Sequence, residues 1–159
     1  MKAKSEGLAK HFEAKAQEAV AVIERLSDAD WNKVTAAERW TVGVTAHHLA
    51  GAFEPVSGII TGIVSGTLPG GFSRAMLDEM NARHAQEHAH CTRPETIALF
   101  KKGASMAAAV VRGLSDDQLA KSGAVFTDAP PMTADQLVMG GLISHIDEHV
   151  GSIRKTVGP

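Results

Sequence analysis

The chain has 159 residues, a formal net charge of −2, and hydrophobic and charged fractions of 44% and 21%, which predicts a single soluble globular domain over residues 1–159. Its 16 lysines and arginines are scattered, which argues against a nucleic-acid surface, and its one cysteine, Cys91, excludes an internal disulfide. Neither a secretory signal nor an apolar run long enough for a membrane helix is present, so we expect a cytoplasmic protein without a membrane partner.

The apolar residues recur at helical spacing, and no strand pattern is found. The first helix is predicted over residues 5–26, and Ser27 and Asp28 mark a helix stop and restart. The apolar stripe of this helix consists of Phe12, Ala16, Ala19, Ile23 and Leu26.

The second helix is predicted from the segment WTVGVTAHHLAGAFEPVSGIITGIVSG, with Thr41 as its N-cap. Pro55 lies inside the pattern, where it should kink the helix or mark a break. The stripe of this helix consists of Leu49, Phe53, Val56, Ile60 and Ile63. A loop, SGTLPGGFS, follows.

Three further helices are predicted. A short one covers residues 74–88, and the next begins near Pro94 and ends near Gly113. Its stripe consists of Ile97, Phe100, Ala104, Ala107 or Ala108, and Val111. After a loop, Thr133 caps a final helix that ends near residue 155. Four long helices and one short one predict an all-α four-helix bundle.

His145 and His149 lie four residues apart on the final helix. Because successive helical residues rotate by about 100°, both lie at the edge of a wide apolar sector, while Asp147 and Glu148 point elsewhere. The sector consists of Met139, Ile143, Ile146, Val150 and Ile153, widened by Val138 and Leu142. Two interpretations are open: core histidines bonded to backbone or water, or two ligands of one metal ion.

The second helix offers a third ligand. His48 lies at the edge of the Leu49 stripe, whereas His47 lies almost opposite and is predicted to be solvated. His48, His145 and His149 would form an open three-histidine site. The segment HAQEHAHC also holds His84, His88, His90 and Cys91, but its polar surroundings favour a solvated face.

These residues carry a resemblance to a known family. The segment from Trp40 to Leu49, with a tryptophan eight residues before His48, resembles the opening of the second helix of DinB-like, or YfiT-like, proteins. The segment HIDEHVGSI resembles their last-helix motif, although Ser152 replaces the usual glutamine and Val150 a common arginine. Asn81 resembles an asparagine of one branch, without a defined role.

The resemblance implies an up-down-down-up bundle, often a homodimer, in which His48, His145 and His149 bind a divalent metal. Zinc or nickel is the expected metal, with iron and cobalt as alternatives. Relatives include mycothiol-dependent maleylpyruvate isomerase and bacillithiol transferases, so the expected activity is a metal-dependent S-transferase or isomerase that uses a low-molecular-weight thiol and a small-molecule substrate. The alternatives are a metal-dependent hydrolase, for which Glu54 and Asp147 are poorly directed as bases, and a non-catalytic metal- or ligand-binding bundle.

Overall fold

The computed structural model describes residues 2–158, and helices dominate it. In chain order the elements are α1 (Ala3–Glu24), α2 (Asp28–Trp31), α3 (Val42–Ser65), α4 (Arg74–Glu87), α5 (Arg93–Arg112), α6 (Asp116–Ala120), β1 (Ser122–Gly123), β2 (Met132–Thr133), α7 (Ala134–Leu137), a π-helical segment (Val138–Ile143) and α8 (Ser144–Val157). The predicted all-α architecture is therefore confirmed. Of the helices in residues 2–158, none combines the length and apolar character needed to cross a bilayer.

Ion pairs define the directions of α1, α5 and α8. Arg112 at the end of α5 binds Glu6 near the start of α1, with 2.9 Å between the atoms, so these two helices are antiparallel. Lys15 in the middle of α1 binds Asp147 near the start of α8 at 2.9 Å. Further along both helices Glu18 pairs with Arg154, so α1 and α8 run in the same direction.

Trp31 fixes the start of α3 beside the start of α5. Its indole lies against Gly43, where a Cβ atom would meet the ring at 2.5 Å, and its Nε1–H donates to the Cys91 carbonyl oxygen at 3.0 Å. Because both helices start at the same end of the molecule, α3 and α5 are parallel to each other. The bundle is therefore up-down-down-up, as the resemblance implied.

The predicted helix starts and stripes are mostly confirmed. Thr41 and Thr133 cap α3 and α7 with their side chains, and α3 runs unbroken through Pro55, so a break there is excluded. The predicted residues that are buried are Phe12, Ala16, Ala19, Ile23, Leu26, Leu49, Phe53, Ile60, Ile63, Phe100, Ala104, Ala107, Ala108 and Val111. Val56 and Ile97 are only partly buried, at the margin of the core.

The final helix departs from the predicted pattern at its start. Met139 is 39% exposed, whereas Val138 and Leu142 are fully buried, so the prediction of an inward Met139 was wrong. The physical reason is the π-helical segment, whose wider turn changes the angular position of residues before it relative to those after it. The apolar residues that close the wider turn or follow it are buried as predicted: Ile143, Ile146, Val150 and Ile153.

The expectation of no strand was also wrong, although by little. Ser122 pairs with Thr133 and Gly123 with Met132 in an antiparallel ladder, which closes the loop before the final helix. Two-residue strands lie below the length at which alternation can be read from sequence.

Candidate metal centre

The turn that precedes α3 carries two side chains to the site. An antiparallel bridge joins Val34 to Thr41, and inside it Arg39 has a left-handed φ of 62°. A non-glycine residue in this conformation costs about 1–2 kcal/mol. The turn places Glu38 beside α8 and Trp40 against His48, with 5.1 Å between the ring centroids.

His48 on α3 meets His145 and His149 on α8. The ring centroid of His48 lies 5.3 Å from that of His145 and 4.9 Å from that of His149. The ring centroids of His145 and His149 lie 4.5 Å apart. One ring nitrogen from each histidine lies within 4.8 Å of the others, which is close enough for one ion after small side-chain adjustments. Within residues 2–158, this group contains neither a thiol nor a carboxylate.

Glu38 orients His149. The Nδ1 atom of His149 is 3.0 Å from one Glu38 oxygen, and Ser152 donates its hydroxyl to the other at 2.6 Å. Burial raises the pKa of Glu38, but the hydrogen bonds, led by that of Ser152, outweigh it and leave the pKa below its usual value. The ionised carboxylate accepts Nδ1–H of His149, and the neutral tautomer that makes this bond has its lone pair on Nε2. Carboxylates orient metal-bound histidines in this way.

Burial keeps the imidazoles of His48 and His145 neutral. Burial is the main cause that lowers the pKa of His48 to about 3, and the nearby His149, His145 and His84 add to it. Burial and His149 lower the pKa of His145 to about 4. A metal ligand must present an unprotonated nitrogen, so both side chains are in the binding form at neutral pH.

An unsatisfied atom tests whether a metal fits. Nε2 of His145 is buried without a hydrogen-bond partner among the described residues, and such an atom costs about 1–3 kcal/mol. A cation shared with His48 and His149 would accept its lone pair. Among the described hydrogen bonds, none joins a backbone group to any of the three rings, and His149 bonds to a carboxylate.

The prediction that His47 is solvated was wrong. His47 is partly buried, and its Nδ1 lies 2.8 Å from Nε2 of His84. His84 and His88 were predicted on a solvated face, but both rings contact His47, with centroids 4.9 Å and 4.1 Å away. The error arose because α4 packs across α3, which local polarity does not reveal.

Other candidates have little chemistry. Burial raises the pKa of the Cys91 thiol, which agrees with its interpretation as a residue without activation. Asp147 pairs with Lys15, and Glu54 is exposed, so neither faces the histidines as a base. Asn81 is partly buried on α4 without an evident role.

A groove between α1 and α5 lies away from the histidines. Its volume is about 560 Å³, and its lining includes Phe12, Ala16, Phe100, Ala104 and Ser105. None of the site histidines lines it, so its size alone does not identify the chemical site. Glu38 was the residue that sequence reasoning missed, because only the tight turn brings it to His149.

Comparison with known proteins agrees with this fold. The chain matches the family model of the mycothiol maleylpyruvate isomerase N-terminal domain over residues 12–139. This span includes Glu38, Trp40 and His48 but ends before His145 and His149. No curated protein and no solved structure matches the chain significantly. The match extends over more than half of the residues, and the chain therefore belongs to the mycothiol maleylpyruvate isomerase N-terminal domain family, within the DinB-like superfamily.

Proposed function

We propose that the protein is a metal-dependent enzyme that uses a low-molecular-weight thiol, as an S-transferase or isomerase acting on a small electrophile. The observation that carries this proposal is the cluster of His48, His145 and His149, whose ligand atoms lie within 4.8 Å of one another. Family membership supports a thiol co-substrate. Zinc or nickel suits three neutral imidazoles, with iron or cobalt as alternatives.

The composition of the ligand set supports catalysis over a structural role. Structural zinc sites use four protein ligands, often cysteines, whereas catalytic sites keep a position open for substrate or water. Within residues 2–158 the group contains three imidazoles and no fourth protein ligand, which leaves such a position. A bound divalent ion there supplies a Lewis acid that favours the thiolate form of a thiol near neutral pH.

The surrounding side chains would prepare the site for this chemistry. Glu38 holds the proton of His149 on Nδ1, so that Nε2 stays available. Trp40 packs on the His48 ring and restricts its orientation. Ser152 donates to Glu38 and so completes the support. These contacts reduce the conformational freedom that the three ligands would lose on binding.

Cobalt spectroscopy tests the proposal. Chelator-treated protein loaded with Co²⁺ should show a thiolate-to-metal charge-transfer band when a small thiol is added, and His149→Ala should lose the band. Conjugation of the same thiol to a small electrophile, assayed with the loaded protein, tests turnover. The control is His11→Ala, which replaces an exposed histidine on α1.

The possible results separate the candidate functions. If Co²⁺ binds but no thiol changes the absorption spectrum, thiol transfer is contradicted, and hydrolysis or a non-catalytic binding role becomes the better explanation. If Zn²⁺, Ni²⁺, Co²⁺ and Fe²⁺ all fail to bind at neutral pH, the metal site itself is contradicted.

A further inference from the structure

A second group of histidines lies beside the first. His84 and His88 are four residues apart on α4 and at its end, and therefore share one face. That face packs on His47, whose ring stacks on His88 with 4.1 Å between centroids. His84 and His88 lie 4.6 Å apart. One ring nitrogen from each of the three lies within 4.8 Å of the other two.

The hydrogen bond between His47 and His84 does not satisfy both rings. Nδ1 of His47 and Nε2 of His84 are 2.8 Å apart, so one nitrogen donates to the other. The remaining nitrogen of His84, Nδ1, is buried and has no partner among the described residues. Either tautomer of His84 leaves this atom unsatisfied, as a donor in one case and an acceptor in the other. The histidine pair is therefore an incomplete polar network.

Gly51 lies beside the His84 ring. Gly51 lies one turn after His47 on the same face of α3, and a Cβ atom there would stand 3.8 Å from Nε2 of His84. A longer side chain at this position would crowd the ring. His88 is the C-cap residue of α4, and helix ends fray.

We propose that His47, His84 and His88 form a second binding site for a divalent transition-metal ion, beside the site of His48, His145 and His149. Borderline ions such as Zn²⁺, Ni²⁺ and Cu²⁺ prefer imidazole ligands. Nitrogens that share a tetrahedral zinc lie roughly 3.3 Å apart, given bonds of about 2.0 Å. The three ligand nitrogens now lie within 4.8 Å of one another, so binding requires side-chain rotations that bring them closer together.

The two sites should differ in affinity. Glu38 orients a ligand of the first site, whereas no carboxylate hydrogen-bonds to His47, His84 or His88 among the described contacts. The first site is also adjacent, since the ring centroids of His48 and His84 are 5.8 Å apart, and two cations repel each other at short range. The second ion therefore binds more weakly and after the first.

Equilibrium dialysis of the chelator-treated full chain against Zn²⁺, with total metal analysis, tests this inference. The wild type should bind two ions per chain. His84→Ala and, separately, the milder His88→Asn should bind one ion with the affinity of the tighter site unchanged. His48→Ala should also bind one ion, now at the second site. His90→Ala replaces an exposed histidine that belongs to neither group, and this variant should still bind two ions.

The second site is contradicted if the wild type binds one ion and His84→Ala has no effect, or if both α4 variants retain two ions. It is also contradicted if His84→Ala and His48→Ala both lose all binding, which would indicate one composite site. Circular dichroism at the dialysis temperature verifies that each variant is folded. An ion that is lost in His84→Ala but retained in His48→Ala would support this site, even if the first site and the proposed function failed.

Discussion

At the residue scale, the first site depends on contacts to side chains that bind no metal themselves. Glu38 accepts Nδ1–H of His149 and the Ser152 hydroxyl. Its carboxylate side chain is only 9% exposed, so water cannot readily replace these contacts. Ser152 follows His149 by three residues on α8, and its short hydroxyl reaches the same carboxylate.

Replacement of Glu38 should therefore weaken metal binding without removing a ligand. We expect Glu38→Ala to lower the affinity of the tighter Zn²⁺ site by about 10–100-fold, because His149 loses its fixed tautomer and orientation. Competition with a chromophoric chelator measures the change. Glu148→Gln, which alters an exposed carboxylate next to His149, is the control, and an equal loss in both variants would contradict the orienting role.

At the element scale, a close contact with Trp31 helps to hold the start of α3. Gly43 lies under Trp31, and the same indole donates to the carbonyl before α5. His47 and His48 follow within about one turn, so this contact sets the position of both ligand groups relative to the bundle.

A methyl group at Gly43 should therefore destabilise the fold. The added Cβ would lie 2.5 Å from the indole, and we expect Gly43→Ala to lower the free energy of unfolding by about 1–3 kcal/mol. A Cβ atom added at Gly58, on the same helix, would have nothing within 4 Å. Gly58→Ala should therefore raise the free energy of unfolding by about 0.5–1 kcal/mol. Urea denaturation measures both, and equal effects would contradict the packing argument.

At the scale of the whole molecule, the buried histidines make stability depend on pH. In the unfolded chain a histidine has a pKa of about 6.5, whereas the folded pKa is about 3 for His48 and about 4 for His145. Below pH of about 6.5 the unfolded state therefore binds more protons than the folded state, and stability falls as pH falls towards the folded values. Above about pH 6.5 these groups do not make the stability depend on pH.

The free energy of unfolding of the metal-free protein should consequently be lower at about pH 5 than at about pH 7, by more than about 1 kcal/mol. Urea denaturation in the presence of a chelator gives the two free energies. His145→Gln, which cannot titrate, should reduce the difference. The interpretation fails if the wild type has the same stability at both values, or if His145→Gln leaves the difference unchanged.

We also expect a homodimer, on the basis of the family resemblance and the apolar groove between α1 and α5. Light scattering at tens of micromolar should give twice the chain mass. Ser105 is exposed within the groove, so Ser105→Arg should shift the mass to that of a monomer, whereas Ala98→Arg, exposed on α5 outside the groove, should not. A monomeric wild type would contradict this expectation.

The sequence by itself determined the helices, most of their buried faces and the grouping of three histidines. These features depend on local periodicity and capping, as at Thr41 and Thr133, and rotation along one helix sufficed to separate His145 and His149 from Asp147. Single-helix rotation also assigned His48 to the inner face.

Only the tertiary structure decided the remainder. Met139 faces solvent because a π-helical segment changes the angular position along the final helix. Glu38 reaches His149 from 111 residues away through the turn at Arg39, and His47 is covered because α4 crosses α3. Each depends on how separate segments pack, and the periodicity of one segment contains no information about which neighbour will cover its polar face.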